Sequence, residues 1–439
     1  MPLNEMHMFI DRRLGKDFQN IIFSLSGKGL SAIALFALDV LEARTLGKSA
    51  YAEWAYFFSI INICFFFGWA GINASTKVTV ARCETRYLKK SCIEASLFLR
   101  STVSVGVSLV VTAVMTWASQ WLGYPEKYNN LRLLFMLSGF MVFFNSFAEY
   151  YKCLFLGLNN FKKVFVVTVC EYFLYLFCCF LYLIMHPVVV SVAYGYIIAG
   201  ATLTIMGISL ITRTYPVFRS VSWNEVRYYA ISILKRAVSM IVVGIGAVLL
   251  IELDTFMLGL LSNKSEVAVY NIAKSVANKA GHVNLSITSG VMTSFAIISD
   301  HERESKIKRL YSYSVLNIGV TTVIALGILV FSPLIIRYLY GVEYLEAVGL
   351  LRFLTIFYIM NAISVFYAGF LDFRGKTYIR SIVYIVVIVL DTILNYLLIP
   401  NMGALGATIA TEISMLPYVL ATVLFSFKEI TKIKRGKIT

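Results

Sequence analysis

The stretch Val267-Ala268-Val269-Tyr270-Asn271-Ile272-Ala273-Lys274-Ser275-Val276-Ala277-Asn278-Lys279-Ala280-Gly281-His282-Val283-Asn284 decides how the rest of the chain is read. A strict hydropathy threshold rejects it as a membrane span, because three asparagines, two lysines and a histidine interrupt the apolar residues. If it does not cross, every later segment is inverted. The basic clusters at 303–309, 374–380 and 428–437 would then lie outside, against the tendency of Lys and Arg to stay in the cytoplasm. The charge pattern therefore predicts a polar helix over 267–297 that does cross. A polar helix crosses only where its polar face meets protein or a water-filled cavity. Asn271, Lys274, Asn278 and His282 follow helical spacing and share one stripe, with Ser275 and Lys279 beside it.

Around this stretch the chain is strongly apolar. Of its 439 residues, 59% are hydrophobic and 14% charged, and the mean hydropathy is +0.77. Soluble domains average about 45–50% apolar and about 25% charged residues. A helix needs about 20 mostly apolar residues to span a bilayer. About twelve segments qualify on that measure, the first six near 19–43, 51–72, 94–118, 130–153, 163–185 and 188–212. The second six lie near 236–261, 267–297, 312–336, 347–371, 379–400 and 403–427. Alternate connections hold nearly all the Lys and Arg. Only Arg44, Lys48, Lys127, Arg132, Lys264 and Arg337 fall on the opposite side, which places both termini in the cytoplasm.

The predicted fold is thus an all-α polytopic membrane protein with about twelve transmembrane helices. Two parallel six-helix lobes surround a central cavity. Residues 1–212 form the first lobe, 213–235 a cytoplasmic inter-lobe loop, 236–427 the second lobe and 428–439 a basic cytoplasmic tail. The polar opening stretch Met1–Asn20 carries no cleavage signal behind an apolar run. The net charge of +15 reflects basic cytoplasmic connections, and nucleic acid is not an expected partner. The seven cysteines read as apolar filler or reduced thiols, with neither zinc spacing nor a disulfide pattern.

The two halves echo each other at a constant offset. Lys48-Ser49 recurs as Lys264-Ser265, Tyr124 as Tyr340, Tyr128 as Tyr344 and Asn145 as Asn361 (264 − 48 = 361 − 145 = 216). Internal repeats around a midplane site are a common plan of secondary transporters. In this register Lys274 falls opposite Phe58 and Lys279 opposite Ile63, so these cations depart from the repeat.

Charges within spans are costly and mark pathways or pairs. Arg100 and Arg352 lie near helix ends, long enough to reach a headgroup. Glu149, Glu252, Asp254, Asp39 and Glu42 are likewise read as near helix ends, within reach of water. Lys28, Lys274 and Lys279 lie several turns inside. With Asn271, Asn278 and His282 they make a candidate anion-binding lining; the competing reading is internal pairing with buried acids. The deep acids Asp391, Glu412 and Glu171 are candidates for a coupling proton or cation, or structural partners of the lysines. A lone histidine carries no assignment by itself.

Other chemistries lack their residues. Gly27-Lys28 has neither the upstream glycine nor the following Ser or Thr of a phosphate-binding loop. No cluster has metal-ligand spacing, no nucleophile elbow is present, and no cofactor, metal or catalytic residue is expected.

Four stretches resemble one family. Arg44-Thr45-Leu46-Gly47-Lys48-Ser49-Ala50-Tyr51 resembles the R-x-L-G-x-x-x-Y junction of Wzx-type polysaccharide flippases. Asp254-Thr255-Phe256-Met257-Leu258-Gly259, with Val267-Ala268-Val269-Tyr270-Asn271, is similar to their helix 7–8 junction. Tyr340-Gly341-Val342-Glu343-Tyr344 resembles their G-x-E-Y entry to helix 10. Asn395-Tyr396-Leu397-Leu398-Ile399-Pro400 and Gly403-Ala404-Leu405-Gly406-Ala407 match their helix 11–12 turn. The resemblance implies the multidrug/oligosaccharidyl-lipid/polysaccharide exporter superfamily. It implies a non-enzymatic flippase that moves undecaprenyl-diphosphate-linked oligosaccharide, such as an O-antigen unit, from the inner to the outer leaflet of the bacterial inner membrane. Membrane lipids, a polysaccharide polymerase and chain-length machinery would be its partners. The alternatives are an ion-coupled drug/cation antiporter of the same fold and a membrane polymerase or glycosyltransferase. The lysine-bearing helix argues against the first, and the short outside loops against the second.

Overall fold

The computed structural model describes residues 3–121, 130–215, 222–292 and 303–435. Their regular structure is helical throughout: α1 (Leu3–Arg82), α2 (Arg86–Trp121), α3 (Leu131–Gly157), α4 (Phe161–Met185), α5 (Val189–Thr212), α6 (Trp223–Leu261), α7 (Lys264–Met292), α8 (Arg303–Ile335), α9 (Ala347–Phe373) and α10 (Thr377–Lys434). A π turn (Ile336–Tyr340) and a 3-10 turn (Val342–Tyr344) join α8 to α9.

Two of these helices are broken inside. The chain leaves helical geometry at Gly47 in α1 (φ 72°, ψ 168°) and at Gly403 in α10 (φ 55°, ψ −133°). Positive φ is inexpensive only for glycine. Pro400 removes a helical donor just ahead of the second break. The freed backbone is recaptured there, because the Glu266 carboxylate accepts from Ala404 N at 2.8 Å.

Among the described residues, eight helices are long and apolar enough to cross a membrane. They include α2–α5, the end of α6, α8, α9 and α10, the last long enough at 58 residues for more than one crossing. The polar α7 is not among them, as its asparagines and lysines foretold.

The expected inter-lobe loop at 213–235 needs correction. Helix α6 already begins at Trp223 and runs without interruption to Leu261. The charges that suggested a loop sit on a helical extension. Glu225 in its first turn accepts from Tyr87 Oη at 2.9 Å and Ser91 Oγ at 3.1 Å, and Ser75 Oγ donates to Ile233 O at 2.8 Å.

The compact units also depart from the expected lobes. One consists of Met1–Thr45 and Cys64–Gly244, the other of Leu46–Ile63 and Ile245–Thr439. The first part of α6 thus packs with the first unit, and the segment 46–63 of α1 with the second.

In the first unit, α2, α3 and α5 close on a core that includes Ile93, Phe147, Tyr150, Tyr151 and Leu154. Tyr150 and Ser96 share a hydrogen bond of 2.7 Å, and Tyr151 Oη reaches Thr204 O at 3.1 Å. Buried hydroxyls bonded in this way avoid the cost of lost hydration.

In the second unit, α8–α10 enclose Ile307, Leu310, Phe366, Phe370, Ile430 and Ile433. The segment 46–63 is anchored there by Lys264–Glu53 at 2.6 Å, Lys48–Glu346 at 2.8 Å and Asn271 Nδ2 to Tyr51 Oη at 2.8 Å. Tyr56 lies over Gly259 so closely that a Cβ there would come within 1.9 Å of the ring. Tyr51 meets Tyr344 edge-on at 6.2 Å. Two of the short family-like stretches therefore touch within one unit.

Candidate functional site

The site in the second unit starts from two turns of α7. Tyr270 and Lys274 lie four residues apart and so project from one face. Both reach α6. Tyr270 Oη donates to Asp254 Oδ2 at 2.6 Å. Lys274 Nζ donates to Glu252 Oε2 at 3.0 Å, Thr255 Oγ1 at 2.7 Å and Ile251 O at 3.2 Å. The other oxygen of Glu252 accepts from Asn62 Nδ2 at 2.9 Å.

Below Tyr270 is a second polar cluster. Asp254 is 3% exposed and Asp391 likewise 3%. Asn395, one turn after Asp391 on α10, bridges them through its amide, at 2.7 Å to Asp254 Oδ1 and 3.1 Å to Asp391 Oδ2. Thr411 Oγ1 donates to Asp254 at 2.6 Å and Ser414 Oγ to Asp391 at 3.0 Å. Two carboxylates at this depth need a positive charge with them, either a proton or a cation. The hydroxyl and amide donors around them are neutral. Among the described residues no group of three or more His, Cys, Asp and Glu side chains is placed to hold a metal.

The lysine and the acid cluster share a small cavity. Asp254, Tyr270, Lys274, Asn278 and Thr411 line it with Leu354 and Phe357, and its volume of about 20 Å3 has room for a water. Its lining thus carries one cation, Lys274, and one carboxylate, Asp254.

The predicted residues separate as follows. Asn271, Lys274, Asn278 and Asp391 gather in the second unit. Lys28 belongs to the first unit, where its side chain is exposed and makes no ion pair among the described residues. Lys279 and His282 fall within α7, but their side chains lie outside the described residues. Glu412 is partly buried on α10, with Oε1 lacking a hydrogen bond.

Glu171 stands in the first unit within an ion-paired triad. Lys152 pairs with it at 2.9 Å and with Glu149 at 2.5 Å. The lysine also lies 5.8 Å from the centre of the Tyr172 ring. An internal ion pair is thus the outcome for both Glu171 and Lys274.

Three residues read as close to water are not. Asp254 is buried because α10 brings Asn395 and Thr411 to it from distant sequence. Glu42 is 4% exposed. Arg100 is fully buried, donating to Ser146 O at 2.7 Å with its guanidinium 5.9 Å from the Phe147 ring centre. Arg352 reaches Ser332 Oγ at 3.3 Å. Glu252 and Asn62 carry no motif. The one sequence signal for the acid cluster is the Asp391–Asn395 spacing of one turn.

Long apolar helices in two units, with buried charge inside each, define a multi-pass membrane protein. Similar solved structures include transporters and a flippase. One is described as the inward-facing conformation of a multidrug resistance MATE family transporter of the MOP superfamily, with TM-score 0.73 and 14% identity over 94% of this chain and 99% of that one. The lipid II flippase MurJ, in an inward closed conformation, matches with TM-score 0.67 and 17% identity over 95% of this chain and 90% of its own. A MOP superfamily transporter from Pyrococcus furiosus, whose description reports reverse polarity of the binding pocket, gives 0.57 and 14% over 94% of each chain. The fold class is that of the MOP superfamily. The polysaccharide biosynthesis protein family model matches residues 18–293, and the chain belongs to that family. The MatE model matches residues 239–397. No curated protein matches the sequence significantly.

Proposed function

We propose that this protein is a flippase for a polyprenyl-diphosphate-linked oligosaccharide, acting in the bacterial cytoplasmic membrane during surface polysaccharide assembly. Twelve crossings form two parallel six-helix lobes, α1 and α10 each crossing twice about their glycine breaks, with both termini cytoplasmic. Alternating access moves the head group while the lipid tail stays in the bilayer.

The observation that carries this reading is Lys274, a cation on the polar helix α7 of a chain in the polysaccharide biosynthesis family. A diphosphate head carries about two negative charges and does not cross hydrocarbon unaided. Lys274 and Lys279 supply the positive side of its site, and Lys28 in the first unit is a further candidate cation. Asn271, Asn278 and His282 supply polar contacts. Asp391, with Asp254, carries the coupling ion, and Glu412 is a second candidate for that role. Glu171 is held by Lys152 and serves structure instead. A polymerase and chain-length machinery are the partners that would consume the product.

The test is leaflet exchange of a polyprenyl-diphosphate oligosaccharide in proteoliposomes containing the full chain. Wild-type protein is expected to accelerate exchange, and Lys274→Ala to reduce it at least tenfold while inserting normally. No acceleration by wild type, or drug efflux in its place, overturns the reading.

A further inference from the structure

Lys274 is occupied. An ammonium has three donors, and here they meet Glu252, Thr255 and the Ile251 carbonyl at 3.0, 2.7 and 3.2 Å. The lysine and glutamate side chains are 12% and 13% exposed. All three donors of the ammonium are thus engaged by groups of the protein. A phosphoryl group takes a donor of this ammonium only by displacing one of these acceptors, of which Glu252 is the anionic one.

We infer that Glu252 is a resident anion that holds Lys274 between transport cycles and is displaced by the diphosphate of the substrate. This rests on the flippase reading above and specifies how its site is regulated.

Three features support an exchangeable contact. A carboxylate offers two anionic oxygens, as a phosphoryl group does, so either satisfies the same lysine donors. Glu252 also has a holder independent of the lysine. Asn62 Nδ2 donates to Oε1 at 2.9 Å, so the displaced carboxylate keeps a hydrogen bond. Finally, among the described residues Lys274 makes an ion pair with one carboxylate, that of Glu252. Lys152 in the first unit lies between two, Glu149 and Glu171, and an incoming anion would have to displace both. The first arrangement suits exchange, the second permanence.

The pair would also limit dwell time. A transported ligand must bind well enough to enter and weakly enough to leave. Once displaced, Glu252 remains a negative charge beside the diphosphate and favours its release. Removing that charge should tighten binding and slow turnover together, which a merely structural ion pair would not do.

The experiment measures farnesyl diphosphate binding to the purified full-length protein, with farnesol as the uncharged control, alongside leaflet exchange. Glu252→Gln is expected to bind farnesyl diphosphate about tenfold more tightly than wild type, with both KM and kcat for exchange reduced. Glu252→Asp, one methylene shorter and so a weaker partner for Lys274 while still charged, should bind more tightly than wild type but less tightly than Glu252→Gln and retain more exchange, and it provides the result if the glutamine variant does not fold. Lys274→Gln should lose binding. If wild type binds and Glu252→Gln and Glu252→Asp bind no better, the inference is overturned and the flippase reading stands. If Lys274→Gln binds as wild type does, or no variant binds, the assignment of the lysine site fails as well.

Discussion

At the residue scale, partners from other helices decide what each charge does. Asn395 is the clearest case, because one side-chain amide separates two buried carboxylates. Asn395→Leu would leave both without that donor. Each buried group left unsatisfied costs about 1–3 kcal/mol. The variant should unfold at lower temperature in detergent and lose exchange activity, whereas Asn395→Ser, which keeps a donor, should recover part of both. Unchanged melting and exchange in Asn395→Leu would remove the bridge from the account. The legibility of the site varied along the same lines. Lys274, Asn271 and Asn278 were legible because helical spacing puts them on one stripe. Asp391 and Asn395 were legible as a pair one turn apart. Asp254 was not, since its burial depends on Asn395 and Thr411, 141 and 157 residues away. The partners of Glu252 were not legible for the same reason: nothing local to it announces Lys274 or Asn62.

At the element scale, glycine breaks set where long helices turn. Gly403 holds φ at 55°, and a Cβ there would meet the Glu266 carboxylate at 2.8 Å. That carboxylate receives the Ala404 N–H, so steric and hydrogen-bond effects act together. Gly403→Val should cost about 1–2 kcal/mol from backbone strain alone and lower the melting temperature measured in detergent. Met402→Val at the exposed neighbouring position should stay within about 0.5 kcal/mol of wild type. Equal melting of the two variants would show that the turn does not need glycine. The motif stretches containing Gly47 and Gly403 were legible because a turn needing positive φ selects its residue locally. The helical start of α6 was not. Arg227, Lys235 and Arg236 resemble a solvated loop in sequence, and Glu225 becomes a helix-end anchor only when α2 places Tyr87 and Ser91 against it.

At the scale of the whole molecule, the proposed topology turns on α7. Its polar residues keep it out of the eight apolar helices, yet both parallel lobes and a cytoplasmic C-terminus require it to cross. Single cysteines at the exposed positions Asn263→Cys and Ser305→Cys, in a background with the native cysteines replaced, test this. A membrane-impermeant maleimide should label the first in intact cells and the second only after permeabilisation. Identical labelling of both would mean that α7 does not cross, and the parallel arrangement would fall. The division of the chain carries a related lesson. Residues 46–63 and 223–244 pack outside the lobes that sequence order suggests. Order along the chain predicts neighbours only where connections are short and the helix has one natural set of contacts.

The sequence by itself determined that the chain is a helical membrane protein, which family stretches it carries and which face of α7 is polar. These follow from composition, periodicity and single-residue backbone preferences, all local properties. Only the tertiary structure decided that Glu252 occupies Lys274, that Asn395 joins Asp254 to Asp391, and that Lys152 claims Glu171. Ion pairs and buried hydrogen bonds form between side chains on different helices and depend on separations of a few ångströms. Those separations are set by packing, and hydrophobic spacing along a single helix does not encode them.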